Sequence, residues 1–161
     1  MKKKKILIYP NKTLNMKSKK VKKITTLLKY FFKNMFDVMY RENGIGLAAI
    51  QIGINLRIIV IDVNVSKNKS LVLINPSITN YNGLQIGYEA CLSFPGIYVK
   101  ITRYKYIKVK YVNQFGFTCY KECKNIVSRC VQHEIDHLDG YTVFNHISEV
   151  KKKLIKKRIC V

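Results

Sequence analysis

Between Ile24 and Met39 the apolar positions Ile24, Leu27, Leu28, Phe31, Phe32, Met35 and Met39 recur at three- and four-residue steps. That period predicts an amphipathic helix with one stripe turned toward a core. Asn43 and Gly44 tolerate the backbone turn that ends a helix, so the helix should stop before them. Elsewhere the apolar runs are short and of strand type: residues 6–9 up to Pro10, then 56–63, 71–74, 97–101, 106–112 and 117–123. Asn113-Gln114-Phe115-Gly116 supplies a hairpin turn between the last two. A second helix should run from about residue 125 to 138 and stop at Gly140. A third, short and basic, should start near Ser148 and include Lys151 to Arg158. Strands grouped apart from helices predict an α+β fold, with antiparallel β-sheets around a central helix, the second of the three. An amphipathic helix precedes that core and a basic helix follows it.

The 161 residues suit a single domain over positions 1–161, and no repeat or long linker divides them. Apolar residues make up 48% of the chain, too many for disorder. No apolar run reaches the ~18–20 residues that span a bilayer, so no membrane is expected as a partner. The basic Lys2 to Lys5 resembles the start of a signal peptide, but the apolar stretch behind it stops at Pro10. A cytoplasmic protein without a cleaved leader is the expectation. The five cysteines are an odd number and fit reduced thiols better than a disulfide framework. Cys119 and Cys123 resemble half of a zinc finger, but no second pair follows at finger spacing. The net charge of +21 favours polyanionic partners, although heavy use of Lys, Ile and Asn also fits compositional drift in an AT-rich genome.

The sharpest chemistry lies in His133-Glu134-Ile135-Asp136-His137. On a helix, positions i and i+4 share one face, so both imidazoles reach the same divalent ion. Glu134 can then lean toward a metal-bound water and take its proton. Val143 stands where a metzincin carries its third His, and Glu149 lies too close for a thermolysin-like arrangement. His146 and an upstream Cys remain as third-ligand candidates, and a thiolate completes a tetrahedral site well.

Three segments carry a resemblance: Gly44-Ile45-Gly46-Leu47-Ala48-Ala49-Ile50-Gln51, Glu89-Ala90-Cys91-Leu92-Ser93 and Gln132-His133-Glu134-Ile135-Asp136-His137. In content, order and spacing they resemble the three motifs of peptide deformylases, and the similarity spans most of the chain. It implies a metallo-amidase that removes the formyl group from formyl-methionyl nascent polypeptides and releases formate. Cys91, His133 and His137 would bind the metal, with a water completing the site. Glu134 would serve as general base and then return the proton to the departing amine. Gln51 and the Leu92 N–H would stabilise the oxyanion, and Gly46 would let the backbone approach the formyl group. Ile45, Leu92, Ile126, Cys130 and His133 are candidate walls for the methionine side chain. The family implies Fe(2+), while the donor set also suits Zn, Ni or Co. The resemblance further implies ribosome contact, with rRNA meeting the basic segment 150–161.

The chain departs from the family at Ala90, where Gly is usual, at Asn15 in place of Arg and at Asn145 in place of Asp. None is an expected ligand or base. Glu89 is expected to pair with Arg103 and hold the Cys91 strand in place. Two competing classes predict different behaviour. A small metallopeptidase would not depend on Cys91, and a basic RNA-binding scaffold with a structural metal would need a fourth protein ligand.

Overall fold

The computed structural model describes residues 4–63 and 70–159. Lys2 and Lys3, the last two positions of the 150–161 segment and the Arg158 side chain lie outside the described residues. The elements run α1 (Thr26–Arg41), β1 (Gly46–Ala48), β2 (Ile58–Ile61), β3 (Leu71–Cys91), β4 (Phe94–Val112), β5 (Thr118–Lys124), α2 (Asn125–Leu138) and α3 (Glu149–Ile159). The five strands form one antiparallel sheet in the order β1-β2-β3-β4-β5. The α+β expectation holds, with α2 as the helix that carries both histidines.

Alternation along β2 explains why its run is wholly apolar. Ile58 and Val60 join the cluster of α1, with Phe32, Met35, Val38 and Met39. Ile59 and Ile61 join the cluster of α2, with Cys130, Val131 and Leu138. A strand covered on both faces has no polar side to show. A third cluster of Cys91, Phe94, Val99, Ile101, Val143 and Phe144 lies at the far end of the sheet, where Ile155 of α3 packs against it.

Helix ends follow their local chemistry. The Thr25 hydroxyl accepts from Leu28 N at 3.3 Å and caps α1. Beyond Arg41 the chain turns through Asn43, whose φ of 55° is left-handed, and Gly44 N donates to Met39 O at 2.8 Å. The helix therefore stops where the sequence places its end. Leu27, expected on the apolar stripe, is 72% exposed, while Ile24 and Leu28 on either side of it pack against the α1 cluster.

The strands differ more from expectation. Residues 6–9 form no strand; Leu7 N bonds Gln51 O and Tyr9 N bonds Ser93 O, two isolated links to different segments. The run 71–74 continues to Cys91, and the runs 97–101 and 106–112 are parts of one strand. Register shifts at Ile74/Ser77 and Ile78/Asn80 carry β3 past Pro76, since a bulge removes the need for the donor that proline lacks. β1 was not anticipated at all. Its three residues are all buried, so no alternation marks it.

Candidate metal centre and catalytic cleft

β3 ends at Cys91, and the two-residue turn Leu92-Ser93 reverses the chain into β4. α2 crosses behind this turn and presents His133 and His137 one turn apart, with ring centroids 5.0 Å from each other. Cys91 Sγ lies 3.1 Å from His137 Nε2. One donor atom from each of Cys91, His133 and His137 falls within 4.8 Å of the others, and all three residues are buried. A thiolate and two imidazoles at that separation fit one divalent ion of borderline softness.

The surroundings prepare these donors. Burial pushes the Cys91 thiol up, but the positive charge of His137 and hydrogen bonds from both histidines outweigh it and hold the thiol well below its usual range. Cys91 is thereby disposed to bind as thiolate. Glu89 Oε2 lies 2.9 Å from His133 Nδ1, which turns Nε2 toward the centre. Glu89 also takes Arg103 through both oxygens, at 2.8 and 2.9 Å, and Arg129 at 3.0 Å. Burial raises the Glu89 carboxyl, yet Arg103 and His133 together hold it well below the carboxylate range. Arg103 Nη1 continues to Asp136 Oδ2 at 2.6 Å, and His146 Nε2 meets the same oxygen at 2.7 Å. The Glu89–Arg103 pair expected from sequence is present. His146, one candidate for third ligand, is instead bound to Asp136.

Glu134 stands on the same helix face, 4% exposed, with Oε2 lacking any hydrogen-bond partner among the described residues. Burial pushes its carboxyl up to about 7, against the opposing charges of His133 and His137. Gly46 explains how the carboxylate fits. A Cβ there would lie 2.6 Å from Glu134 Oε1 and 2.6 Å from Cys130 Sγ. Gln51, in the 3₁₀ turn Ala49–Ile52, is oriented by Ala48 N donating to its Oε1 at 2.8 Å. Its Nε2 points inward, 3.7 Å from Cys91 Sγ and 3.3 Å from Ser93 Oγ.

These groups border a cleft of about 560 Å³. Ile45, Leu92, Ile126, Cys130 and His133 all line it, as do Gly46, Gln51, Cys91 and Glu134. Ile45 and Ile126 form the outer wall, each roughly half exposed, and Cys130 is buried deeper. His137 is 1% exposed and reaches the site through its contact with Cys91. Two cleft features went unread in the sequence. Arg129 sits four residues before His133, on the same helix face, and that spacing was the available signal. Tyr88 and Tyr98 flank the mouth on neighbouring strands, and only their register reveals it. Ala90 is not among the residues with positive φ, so its methyl group meets no backbone strain. Asn145 accepts from Thr142 N at 2.8 Å and caps the 3₁₀ turn Val143–His146.

With this geometry in hand, comparison with known proteins is specific. The polypeptide deformylase family profile matches residues 3–153. A peptide deformylase of Buchnera aphidicola subsp. Schizaphis graminum is 43% identical over 155 residues, covering 96% of this chain and 93% of its own. That of Pseudoalteromonas translucida is 36% identical over 154 residues, covering 96% and 92%. Among solved structures, a peptide deformylase from Legionella pneumophila matches with a TM-score of 0.92 at 35% identity, covering 96% of this chain and 91% of that one. One from Synechococcus elongatus in complex with actinonin matches at 0.90 and 34% identity, covering 96% and 87%.

Proposed function

Because the chain belongs to the peptide deformylase family, we propose that Cys91, His133 and His137 hold one divalent metal ion and that Glu134 carries the proton beside it. The chain is a peptide deformylase, a hydrolase that removes N-formyl groups from nascent polypeptides and takes formyl-methionyl peptides as substrates. Convergence of the three donors within 4.8 Å, beside Glu134 in one cleft, is the observation that carries this reading.

When bound, the ion supplies Lewis acidity and brings the pKa of a coordinated water toward neutrality. Glu134 removes a proton from the attacking water and delivers it to the departing amine. Burial raises the Glu134 carboxyl, which favours its holding the proton between the two transfers. Gln51 Nε2 and the Leu92 N–H donate to the oxygen that gains charge, which is where a fixed donor contributes most. Gly46 leaves room for the formyl group, and bulkier acyl groups meet the walls of the cleft. Ile45, Leu92, Ile126, Cys130 and His133 receive the methionine side chain.

Iron(II) is the metal we assign, on the family resemblance, with zinc, nickel and cobalt able to use the same donors. Residues 1–161 act as one deformylase domain. The bacterial relatives support a bacterial cytoplasmic setting, and no described helix is long and apolar enough to cross a membrane. The lysines of α3 are proposed to touch the ribosome.

The test is formate release from a formyl-methionyl peptide by anaerobically prepared, iron-loaded protein. Glu134→Ala should lower turnover by about 10²–10⁴-fold while metal stays bound. Folded, metallated wild-type protein that releases no formate would refute the reading.

A further inference from the structure

Between the 113–116 turn and the start of α2, alternate residues of β4 and β5 turn away from the core. Lys110 stands opposite Tyr120, Lys108 opposite Glu122 and Tyr106 opposite Lys124. On the neighbouring strand Ser77, Asn80 and Asn82, all exposed, oppose Lys110, Lys108 and Tyr106. The intervening residues Ile107, Val109 and Cys123 are buried, so strand alternation makes the first set an outer face.

Its composition is specific. Lysines and tyrosines interleave: Lys108 Nζ lies 5.8 Å from the Tyr120 ring centroid, and Lys124 Nζ lies 5.9 Å from that of Tyr106. Tyr120 is 58% exposed. Glu122 is the carboxylate in this set, directly opposite Lys108. Beside Tyr106, where β5 gives way to α2, Lys105, Lys124, Asn82 and Asn125 line a hollow of about 260 Å³. Aliphatic side chains are absent from the rows around Lys108 and Tyr106, so the apolar core expected of a protein–protein interface is missing.

We propose that this outer face of β3, β4 and β5 is a docking surface for single-stranded RNA. Alternate strand residues repeat at about 7 Å, a spacing on which neighbouring phosphates of an extended strand can meet successive lysines. Open tyrosine rings offer stacking platforms to unpaired bases, whereas a duplex keeps its bases covered. The hollow between Lys105 and Lys124 receives a phosphate at the end of the track. RNA is the polyanion at hand where polypeptides are made; in this the proposal rests on the deformylase reading. α3 packs through Ile155 against Phe94 and Val99 at the start of β4, whereas this face lies toward the other end of that strand.

The test is fluorescence anisotropy of the metal-loaded full chain with a labelled single-stranded RNA of about 12 nucleotides, over a series of salt concentrations. The K108Q/K110Q/K124Q variant should bind at least about tenfold more weakly, with a salt slope reduced by about 2. Tyr120→Ala should weaken binding by about fivefold or more with its salt slope unchanged, as lost stacking requires. K22Q/K29Q/K33Q, which removes equal charge from exposed positions in and before α1, should cost clearly less. Equal losses in the two lysine variants together with an inert Tyr120→Ala would overturn the proposal, leaving only diffuse attraction. Duplex RNA held as tightly as the single strand would overturn it too. Formate release should match wild type in every variant, so failure of RNA binding leaves the deformylase reading intact, and absent turnover leaves the binding result readable.

Discussion

At Glu89 one buried carboxylate receives Arg103, Arg129 and His133 at 2.8–3.0 Å. Replacing it by Gln leaves Arg129 in the interior without its counter-charge and Arg103 with Asp136 alone, a change that typically costs about 3–5 kcal/mol. It also frees the His133 ring, and loss of such a partner weakens metal binding by about 10–100-fold. Denaturant unfolding and metal competition would measure the two effects separately. The pH dependence has a definite sign. The folded-state carboxyl titrates below its ordinary 4.5, so its stabilisation is present above that value and is lost as the pH falls through the lower folded one. Glu89→Gln should therefore flatten the acid side of the stability profile. Gly46→Ala tests the neighbouring carboxylate. A methyl group 2.6 Å from Glu134 Oε1 must displace it, and kcat should fall by about 10²-fold while bound metal stays near the wild-type level. The convergence of Cys91, His133 and His137 was legible in the sequence because motif spacing encodes it, and the Glu89–Arg103 pair was also expected there. Arg129 was not, since a lone basic residue in a helix reads as solvated until its partner's position is known.

Helices were more legible than strands, and the reason is physical. A 3.6-residue period survives along α1 and α2 because each presents one face to the sheet. β3 runs 21 residues, but Asn75-Pro76 and Asn82-Gly83 interrupt its pattern with residues that normally end strands. The register shift that absorbs Asn75-Pro76 depends on the partner strand, which local sequence does not contain, and Gly83 keeps the register through a φ of 60°. β4 hides in the same way, because polar Arg103 divides its two apolar runs, and only Glu89 and Asp136 supply the partners that let it be buried mid-strand. At the end of α2 the expectation was firmer. Gly140 has a φ of 81°, and a Cβ there would lie 2.7 Å from the Asn15 carbonyl oxygen. Gly140→Ala thus combines left-handed strain with a backbone collision, and should destabilise the fold by about 2–4 kcal/mol. Because the 3₁₀ turn Lys12–Asn15 would have to retreat, the loss should appear in thermal melts of metal-loaded protein as well as metal-free protein.

Across the whole molecule, a charge of +21 surrounds a cleft whose Glu89 is buried in an ion-pair network with Arg103 and Arg129. Such a field accelerates encounters with any polyanion, so attraction to a ribosome by itself says nothing about where contact is made. α3 is the element whose composition the core explains least. Ile155 anchors it to the cluster of Phe94, Val99 and Phe144, whereas Val150 and Leu154 are exposed. Deleting the helix would remove that anchor beside Cys91, and a loss of binding could then reflect a damaged fold. Replacing Lys151, Lys153, Lys156 and Lys157 by Gln keeps Ile155 and removes only charge from exposed positions. If α3 is the ribosome contact, co-sedimentation with ribosomes should fall and its salt slope should drop by about 3. Melting temperature and formate release should stay at wild-type values, since none of these lysines borders the cleft. Pelleting that is unchanged across the salt series would assign the ribosome affinity to other basic surfaces of the chain and leave α3 as a solvated end.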